Sequence, residues 1–593
     1  MKISLPILLI TLFLSLGTSA QRLGIPNGHA PGEKDLMLEP SVKMSQGIQF
    51  TVPPDFEVRT MAEWEEIQSL MITWIGFNHI LKQITAAAKE ECEVIIFASN
   101  VNTVSNYLMA SNAGGPAFDN LDNVTIIPGD YNTIWSRDYG AHTVYRNDVD
   151  DLVLVDWIYN RNRPNDDAIP LALAEYLGLP LYSTSESPWD LMATGGNFMA
   201  DGQGTAFSSR LIVNENQGGY AWSGTYYPDH TEEEIDNIMS EFMGIDTYIK
   251  MQTLPYDGIH HIDMHMKLLD EETLIIGQYP QGVADGPQIE ANIDYVLSNY
   301  ESTFGAPYEV IRVQMPPEGG SYPNTNGDYR TYANMVFVNK TVIIPVYEEQ
   351  YDAPALEIIE EALPGYTIVP IQCNDIIQLS GAIHCITKAV GVNEPLLIVH
   401  NDLPDTEDDL NEYQVDAIIK HTSDIANASV FYRTSNGAFS ELMMNLTNAV
   451  DDIWTGYIPA QEVGTEIDYY IHSEANSGKQ QVRPIVAPEG HWTFNVTGAN
   501  VGLDEVSENN VIQEIYPNPA NSITAIPIEL PEAAQVKVSL LDMMGRSVKV
   551  IEENRLPKGS SKLFFDAADL APGAYNVTLQ AGTHSYSRRV MVR

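Results

Sequence analysis

The stretch CEVIIFAS, residues 92–99, is a short apolar run, and comparable runs recur over residues 58–393. They include NVTIIPG at 123–129, DLVLVDW at 151–157, TLIIGQY at 273–279 and YTIVPIQC at 366–373. Stretches with helical spacing separate some of them, such as AEWEEIQSLMITW at 62–74 and APALEIIEEAL at 353–363. Strands that alternate with helices predict one large α/β unit.

Two smaller β-rich segments follow the large unit. Residues 394–497 contain strands with alternating polarity between polar turns, which predict an immunoglobulin-like β-sandwich. Its strands include ASVFYRTS, TEIDYYIHSEA and HWTFNVTG. Residues 498–513 are a polar linker, and residues 514–593 predict a small C-terminal β-sandwich.

The first twenty residues, MKISLPILLITLFLSLGTSA, combine an early lysine, an apolar run and small residues at the end. This order is typical of a cleavable secretory signal peptide. Residues 21–57 are polar and rich in Gly and Pro, and we interpret them as a propeptide or an extended lead-in. No later run approaches the roughly 20 apolar residues of a spanning helix, so we expect an exported protein without a membrane span.

The chain carries 80 acidic and 31 basic residues, a formal net charge of −49. Such a surface repels nucleic acid and anionic membranes, so we expect neither as a partner. A solvated exported surface explains the charge, and it is also compatible with a cationic substrate or a structural calcium or sodium ion.

Cys92, Cys373 and Cys385 are the only cysteines, and an odd number does not fit a complete disulfide framework. At least one thiol is therefore expected to be free. A bridge between Cys373 and Cys385 stays open, and it would remove Cys385 from any chemistry.

Three patches carry polar groups that a core would not select: NTIWSRDYGAH at 132–142, GIHHIDMHMK at 258–267 and GAIHCITKAV at 381–390. On a strand, His261, Asp263 and His265 would share one face. A metal site, a base and carboxylate pair, and a polar face without a role all remain open for them.

Taken together, the patches supply a complete set of groups for one reaction. A cysteine nucleophile needs a histidine for proton exchange, and a planar guanidinium needs carboxylates to accept its N–H groups. Asp138, His261, Asp263 and Cys385 provide them.

Six motifs then carry a family resemblance. The large unit resembles the agmatine deiminase and Porphyromonas-type peptidylarginine deiminase family of the guanidino-group-modifying, or pentein, superfamily. The resemblance implies a five-fold pseudosymmetric α/β-propeller. The motifs are MAEWEEIQSLMITW (61–74), IWSRDYG (134–140), TGGNFMADGQGTAFSSRLIVNEN (194–216), HIDMHMK (261–267), TYANMVFVNKTVIIPVY (331–347) and SGAIHCITKAV (380–390).

The resemblance also implies roles for the residues in these motifs. Cys385 matches the nucleophile, His261 the general acid/base, and Asp138 and Asp263 the carboxylates that hold the guanidinium. Asn334 matches an asparagine near the cysteine, and Gly195, Gly196 and Asn197 match a turn that shapes the site wall. His384, although adjacent to the cysteine, is not given the role of base, and no metal or cofactor is expected.

The stretch YNRNRPNDD at 159–167 places Arg161 and Arg163 in alternation, as a fork for a carboxylate requires. It resembles the segment whose arginines clamp a C-terminal arginine in bacterial peptidylarginine deiminases. Two exposed loop arginines without a role are the alternative. Trp135, beside the Asp138 motif, is also expected to contact the substrate.

The C-terminal segment resembles the sorting domain of the type IX secretion system. This implies passage through the periplasm to the surface or medium of a Gram-negative bacterium, with the secretion machinery as a partner. The matching pieces are YPNPANS (516–522), LLDMMGR (540–546), LAPGAYNVTL (570–579) and RRVMVR (588–593).

The expected function is a secreted protein-arginine deiminase that converts peptidyl arginine, preferably C-terminal, to citrulline and ammonia. Arginine-containing peptides and proteins would be its substrates. An agmatine or free-arginine deiminase is the nearest alternative, and a non-catalytic surface adhesin is an alternative of another class. The two aspartates are expected to raise the pKa of the Cys385 thiol.

Overall fold

The structure is a computed structural model that divides the chain into two compact units, residues 1–496 and 497–593. The predicted signal peptide and most of the predicted linker lie outside the described residues. Within the described ranges, no helix combines the length and apolar character needed to cross a membrane. The described residues are 25–30, 33, 49–218, 228–435, 437–497, 511–513, 515–530, 534–542, 546–556, 558–568, 570–581 and 584–593.

The helices belong to the part of the chain before residue 390. The α-helices are α1 Asn78–Ala88, α2 Val101–Leu108, α3 Ser136–Tyr139, α4 Ile169–Leu177, α5 Leu211–Glu215, α6 Glu232–Met243, α7 Gly286–Asn299, α8 Glu349–Ala362 and α9 Asn374–Ile377. One-turn 3-10 helices occupy Gly195–Asn197, Ile262–Met264, Pro323–Thr325 and His384–Ile386.

The strands of the large unit are short and mostly buried. They are β1 Gln49–Phe50, β2 Val58–Thr60, β3 Ile67–Thr73, β4 Glu93–Ala98, β5 Val124–Pro128, β6 His142–Arg146, β7 Leu152–Asp156, β8 Ile158–Tyr159, β9 Leu181–Ser183, β10 Met192–Ala193, β11 Met199–Ala200, β12 Thr205–Ser209, β13 Thr247–Met251, β14 Met266–Leu268, β15 Thr273–Gln278, β16 Glu309–Gln314, β17 Val336–Val338, β18 Thr341–Val346, β19 Thr367–Gln372 and β20 Lys388–Gly391.

Five sheets of this unit repeat one pairing pattern. In β11–β12–β13, β14–β15–β16 and β17–β18–β19, an antiparallel pair is followed by a parallel pair. The same order occurs as β20–β3–β4 and as β6–β7–β9 within the two larger sheets. A mixed α/β fold is therefore confirmed, and it is built from a repeated module.

The predicted helix over residues 62–74 is wrong, because Ile67–Thr73 form β3. Leu70, Met71 and Ile72 are fully buried, and the strand lies between β20 and β4. A strand buried on both faces needs a continuous apolar run, and such a run also satisfies helical spacing. The helix predicted over 353–363 is confirmed within α8.

Residues 397–495 form two antiparallel sheets that share a core. The sheets have the orders β21–β22–β26–β25 and β24–β23–β27–β28, with β29 also paired to β27. Their strands are β21 Leu397–Val399, β22 Tyr413–Lys420, β23 Ile425–Thr434, β24 Ser440–Met443, β25 Asn445–Asn448, β26 Ile453–Ile458, β27 Glu466–Ala475, β28 Gln480–Arg483 and β29 Trp492–Asn495.

Within its described residues, the second compact unit has six strands in antiparallel pairs around its own core. Val538, Val577 and Val590 are fully buried there. Its strands are β30 Ile523–Leu530, β31 Ala534–Asp542, β32 Ser547–Leu556, β33 Gly559–Asp566, β34 Gly573–Ala581 and β35 His584–Val592.

A buried ion pair joins β28 to the large unit and yields a stability prediction. Arg483 Nη2 donates to Glu271 Oε2 at 2.7 Å, with both side chains largely buried. Arg483→Met would leave the Glu271 carboxylate buried and unpaired, so we expect a loss of about 3–5 kcal/mol in urea unfolding. The double variant Arg483→Met/Glu271→Leu should recover most of this loss. A single-variant loss below about 1 kcal/mol would show that the pair is solvated.

Candidate active site

Five short turns bring the candidate residues together, and each precedes the first strand of one repeated module. Helix α3 packs against the turns Gly195–Asn197 and His384–Ile386, and Gly195–Asn197 also packs against Ile262–Met264. The five turns supply Asp138 before β6, Gly196 before β11, Asp263 before β14, Asn334 before β17 and Cys385 before β20.

The carboxylates of Asp138 and Asp263 are buried at the centre of this arrangement. Each keeps one oxygen, Oδ1, without a hydrogen-bond partner among the described residues. Burial and the nearby charge of Asp263 raise the pKa of Asp138 to about 7. Burial acts in the same direction on Asp263, but its hydrogen bond and charge interaction with His384 outweigh it and lower the pKa of Asp263. The pair is therefore short of one cation.

Cys385 is fully buried beside these carboxylates, and none of the three cysteines forms a disulfide. The bridge between Cys373 and Cys385 is therefore not formed. Asn334 Nδ2 lies 3.2 Å from Cys385 Sγ, and Asp263 Oδ2 lies 3.5 Å from it. Burial, followed by the charges of Asp263 and Asp138, raises the pKa of the Cys385 thiol well above its usual value.

His261 lies beside Asp138 and is buried, with 1% of its surface exposed. Its Nδ1 is 3.6 Å from Asp138 Oδ1, and its Nε2 is 3.5 Å from Thr194 Oγ1. Burial lowers the pKa of His261 to about 3, which keeps the ring neutral at physiological pH. A neutral imidazole can accept a proton during a reaction.

The expected strand over HIDMH is wrong, because Ile262–Met264 form a 3-10 turn. The alternation that would place His261, Asp263 and His265 on one strand face therefore does not apply. Within the described residues, no group of three or more His, Cys, Asp or Glu side chains is arranged to hold a metal ion.

His384 also lies on a 3-10 turn rather than on a strand, so alternation along a strand does not apply to His384 and Cys385. Its Nδ1 is 2.7 Å from Asp263 Oδ2, and its Nε2 is 2.8 Å from Glu63 Oε1. A neutral imidazole has only one N–H group. Either the ring is cationic or one of the two carboxyl groups holds the second proton.

Gly196 allows its turn to lie directly against the polar groups of the site. A methyl group at this position would lie 2.5 Å from His261 Nδ1, 2.9 Å from Asp138 Oδ1 and 3.2 Å from Asp263 Oδ2. The three polar groups therefore lie so close to Gly196 that a larger residue would displace them. Gly195 is equally constrained, since its methyl group would meet Arg137 O at 2.1 Å. Asn197 Oδ1 accepts a hydrogen bond from the Ser209 backbone at 2.8 Å and fixes the turn.

Arg161 and Arg163 are buried, so their interpretation as exposed loop arginines is wrong. Their charges reach the site, since both lower the pKa of Asp138 against the larger effects of burial and Asp263. Arg161 Nη1 lies 3.9 Å from Glu215 Oε1. Trp135 is fully buried, and a methyl group added at Gly381 would lie 2.5 Å from its ring and 3.1 Å from Cys385 Sγ.

Glu63 is the most important residue that the sequence reasoning missed. Its carboxylate contacts Lys267 Nζ and Arg137 Nη1 as well as His384 Nε2. The only sequence signal was its place in MAEWEEIQSLMITW, where acidic residues adjoin an apolar run. Thr194 was also missed, because a threonine beside two glycines is typical of any turn.

The Porphyromonas-type peptidyl-arginine deiminase family matches residues 59–390, more than half of the chain. The chain belongs to this family. The deiminase is therefore a guanidino-modifying hydrolase of C–N bonds.

The individual relatives described next share only about a quarter or less of their aligned residues with this chain. A protein assigned as an agmatine deiminase in Mycoplasma mycoides subsp. mycoides SC is 24% identical over 328 residues, 49% of this chain and 86% of the relative. Another, from Legionella pneumophila, is 26% identical over 274 residues, 45% of this chain and 75% of the relative. A crystal structure described as an arginine deiminase from Porphyromonas gingivalis is 17% identical, covers 56% of this chain and 98% of its own, and has a TM-score of 0.48.

Residues 514–593 match the secretion system C-terminal sorting domain. The predicted sorting domain is thereby confirmed. The deiminase is secreted or displayed at the cell surface through the type IX secretion system.

The close packing of polar groups against Gly196 gives a direct test of the site. In Gly196→Ala, the added methyl group would displace His261 and Asp138 from their positions, so we expect a loss of about 100-fold or more in kcat/KM. Ammonia release from an arginine substrate measures it. Gly258→Ala is the matched control, because its methyl group would meet no described atom within 4 Å. Equal activities of the two variants would contradict the placement of the site.

Proposed function

We propose that the enzyme hydrolyses the guanidinium group of peptidyl arginine, preferably at the C-terminus, to give citrulline and ammonia. One observation carries the proposal: two buried carboxylates with unpaired oxygens stand beside a buried thiol, within reach of two arginine charges. This arrangement fits a ligand that is cationic at one end and anionic at the other.

The cationic end of the ligand corresponds to the site's missing charge. A guanidinium has five N–H donors in a plane, and Asp138 Oδ1 and Asp263 Oδ1 are acceptors without described partners. Binding would pair both oxygens and hold the guanidino carbon against Cys385. A bound cation would also favour the thiolate, whose formation both aspartates oppose in the empty site.

The proposed reaction has two stages. Cys385 Sγ attacks the guanidino carbon as its proton passes to neutral His261, and a tetrahedral adduct forms. His261 returns the proton to the departing nitrogen, so that ammonia leaves and an S-alkylthiouronium remains. Water then attacks the same carbon, His261 accepts a proton from it, and the C–S bond breaks to release the ureido product and the thiol.

The anionic end of the ligand would be the carboxylate of a C-terminal arginine. Arg163 already holds a carboxylate within the chain, since its Nε and Nη2 donate to Glu33 at 2.7 and 3.0 Å. This two-bond geometry is the one that planar carboxylate recognition uses. Agmatine has no carboxylate, so the arginine pair favours peptidyl arginine over agmatine.

We further propose that the reaction needs no metal or organic cofactor, and that any calcium or sodium bound by the acidic surface is structural. The five repeated sheets are proposed to form a five-fold propeller over residues 58–393. The two sheets within residues 394–497 are proposed to be an immunoglobulin-like sandwich. We also propose a propeptide or extended lead-in at residues 21–57, a linker at 498–513 and a sorting domain with the limits 514–593.

The raised pKa of Asp138 predicts the pH dependence. Guanidinium binding needs the carboxylate form of Asp138, whose pKa is about 7. Below that pH, the ratio of carboxylate to neutral carboxyl falls about tenfold for each pH unit. We therefore expect kcat/KM to rise from pH 5 to a plateau above about pH 7.5. Circular dichroism at pH 5 controls for unfolding. A flat profile between pH 5 and 8 would contradict the assignment to Asp138.

The arginine pair predicts a split between substrates. In Arg161→Ala and Arg163→Ala, we expect KM for peptides ending in arginine to rise about tenfold or more, because charge-assisted hydrogen bonds to the terminal carboxylate are lost. Peptides with an amidated C-terminus should be affected much less. Arg146→Ala, at an exposed arginine, is the control.

The same assay separates the candidate activities. Mass spectrometry should show a gain of about one dalton on arginine peptides with the wild type and none with Cys385→Ser. Consumption of agmatine without change in the peptides would support the agmatine deiminase alternative. An equal rise of KM on free and amidated peptides would remove the carboxylate clamp from the proposal.

A further inference from the structure

Residues 25–30 and Glu33, from the lead-in before β1, lie on the side chains assigned to the substrate. Trp135 Nε1 donates to Ile25 O at 2.8 Å, and Arg161 Nε donates to Asn27 O at 3.3 Å. All three side chains assigned to the non-guanidinium part of the substrate, Trp135, Arg161 and Arg163, therefore bind this one segment. Cys385 has no exposed surface in this state.

Arg163 makes the most extensive of these contacts. Its Nη2 donates to Pro26 O at 2.8 Å and to Gly28 O at 2.9 Å, and its Nε and Nη2 both donate to the Glu33 carboxylate. The Nε and Nη2 donors are thus occupied by the segment, while Nη1 donates to the Tyr159 hydroxyl at 3.2 Å. A substrate carboxylate could bind Arg163 only after Glu33 had left.

Asn27 distinguishes this segment from a permanent part of the core. Its backbone N–H donates to Leu379 O at 2.9 Å, and the residue is 1% exposed. Both polar atoms of its side chain, Oδ1 and Nδ2, lack a hydrogen-bond partner among the residues that the structure describes. Permanently buried amides are nearly always paired. The segment is held at its backbone and at Glu33, while its buried amide stays unsatisfied.

We propose that the segment Ile25–Glu33 is an intramolecular inhibitor, and that the exported chain is latent until the segment is removed or displaced. Its Glu33 carboxylate stands in for the C-terminal carboxylate of a peptide substrate on Arg163. This inference rests on the proposed function, because that proposal assigns Arg161, Arg163 and Trp135 to substrate binding. The surface they form is then both the substrate subsite and the docking surface for the chain's own N-terminal segment.

Alkylation of Cys385 tests access to the site without requiring turnover. Chloroacetamidine, a small amidinium, forms a C–S bond with a thiol as chloride leaves and the thiol proton is released. In the full chain without the signal peptide, Glu33→Gln should raise the rate of Cys385 alkylation about tenfold, in proportion to the open fraction. Peptide mass spectrometry locates the label, and buried Cys92 and Cys373 report any general loosening. Glu90→Gln, an exposed carboxylate, is the matched control and should leave the rate unchanged.

A second measurement protects the test against a misfolded variant. A recognition sequence for a site-specific protease is placed between residues 34 and 48, and the same folded protein is assayed before and after cleavage. Cleavage should raise both alkylation and deimination about tenfold. Increased alkylation without citrulline formation would retain the inhibitory segment and reject the proposed function. Unchanged alkylation after cleavage would overturn the inhibitory segment.

Discussion

The burial of two carboxylates that share too few partners is the constraint on which the site depends. Asp138 and Asp263 are removed from water while each retains an unpaired oxygen within the described structure, an arrangement that is unfavourable without a bound cation. The same lack of a cationic partner makes the site selective for a cationic ligand. On the proposed reaction, the guanidinium substrate offsets it and the neutral ureido product does not, so charge loss at the reacting group also weakens product binding.

A layer of alternating charge behind the aspartates makes this burial tolerable. Burial would raise the pKa of Glu63, but the charges of His384, Lys267 and Arg137 outweigh it and hold that pKa well below its usual range. Glu63 in turn orients His384, which donates toward Asp263. The Asp263 carboxylate, which lies beside the Cys385 thiol, is therefore fixed by His384, and His384 is held in turn by Glu63. Loss of Glu63 would remove the ion-pair partner of the buried Lys267.

The sequence was sufficient where local pattern and local structure agree. CEVIIFAS and TLIIGQY form β4 and β15, and the motifs around Asp138, Asp263 and Cys385 meet in space. It was insufficient where tertiary burial decides the outcome. A run buried on both faces satisfied helical spacing at β3, and the 3-10 turn at HIDMH removed the strand alternation considered for His261, Asp263 and His265. The contacts of Glu63 cross more than 300 residues to His384, and no local pattern predicts them.

The arrangement of the five site turns also explains how the lead-in can bind at the site without supplying a cation to Asp138 or Asp263. Each turn comes from a different repeated module, so the centre is surrounded by side chains whose positions are set by separate sheets. Residues 25–30 and Glu33 bind Trp135 before β6, Arg163 after β8 and Leu379 before the Cys385 turn. These contacts cross between modules, yet they supply no cation to Asp138 or Asp263. The segment is held by groups around the centre and leaves the Asp138 and Asp263 carboxylates without a cation. A cationic substrate can therefore make an interaction that the segment cannot.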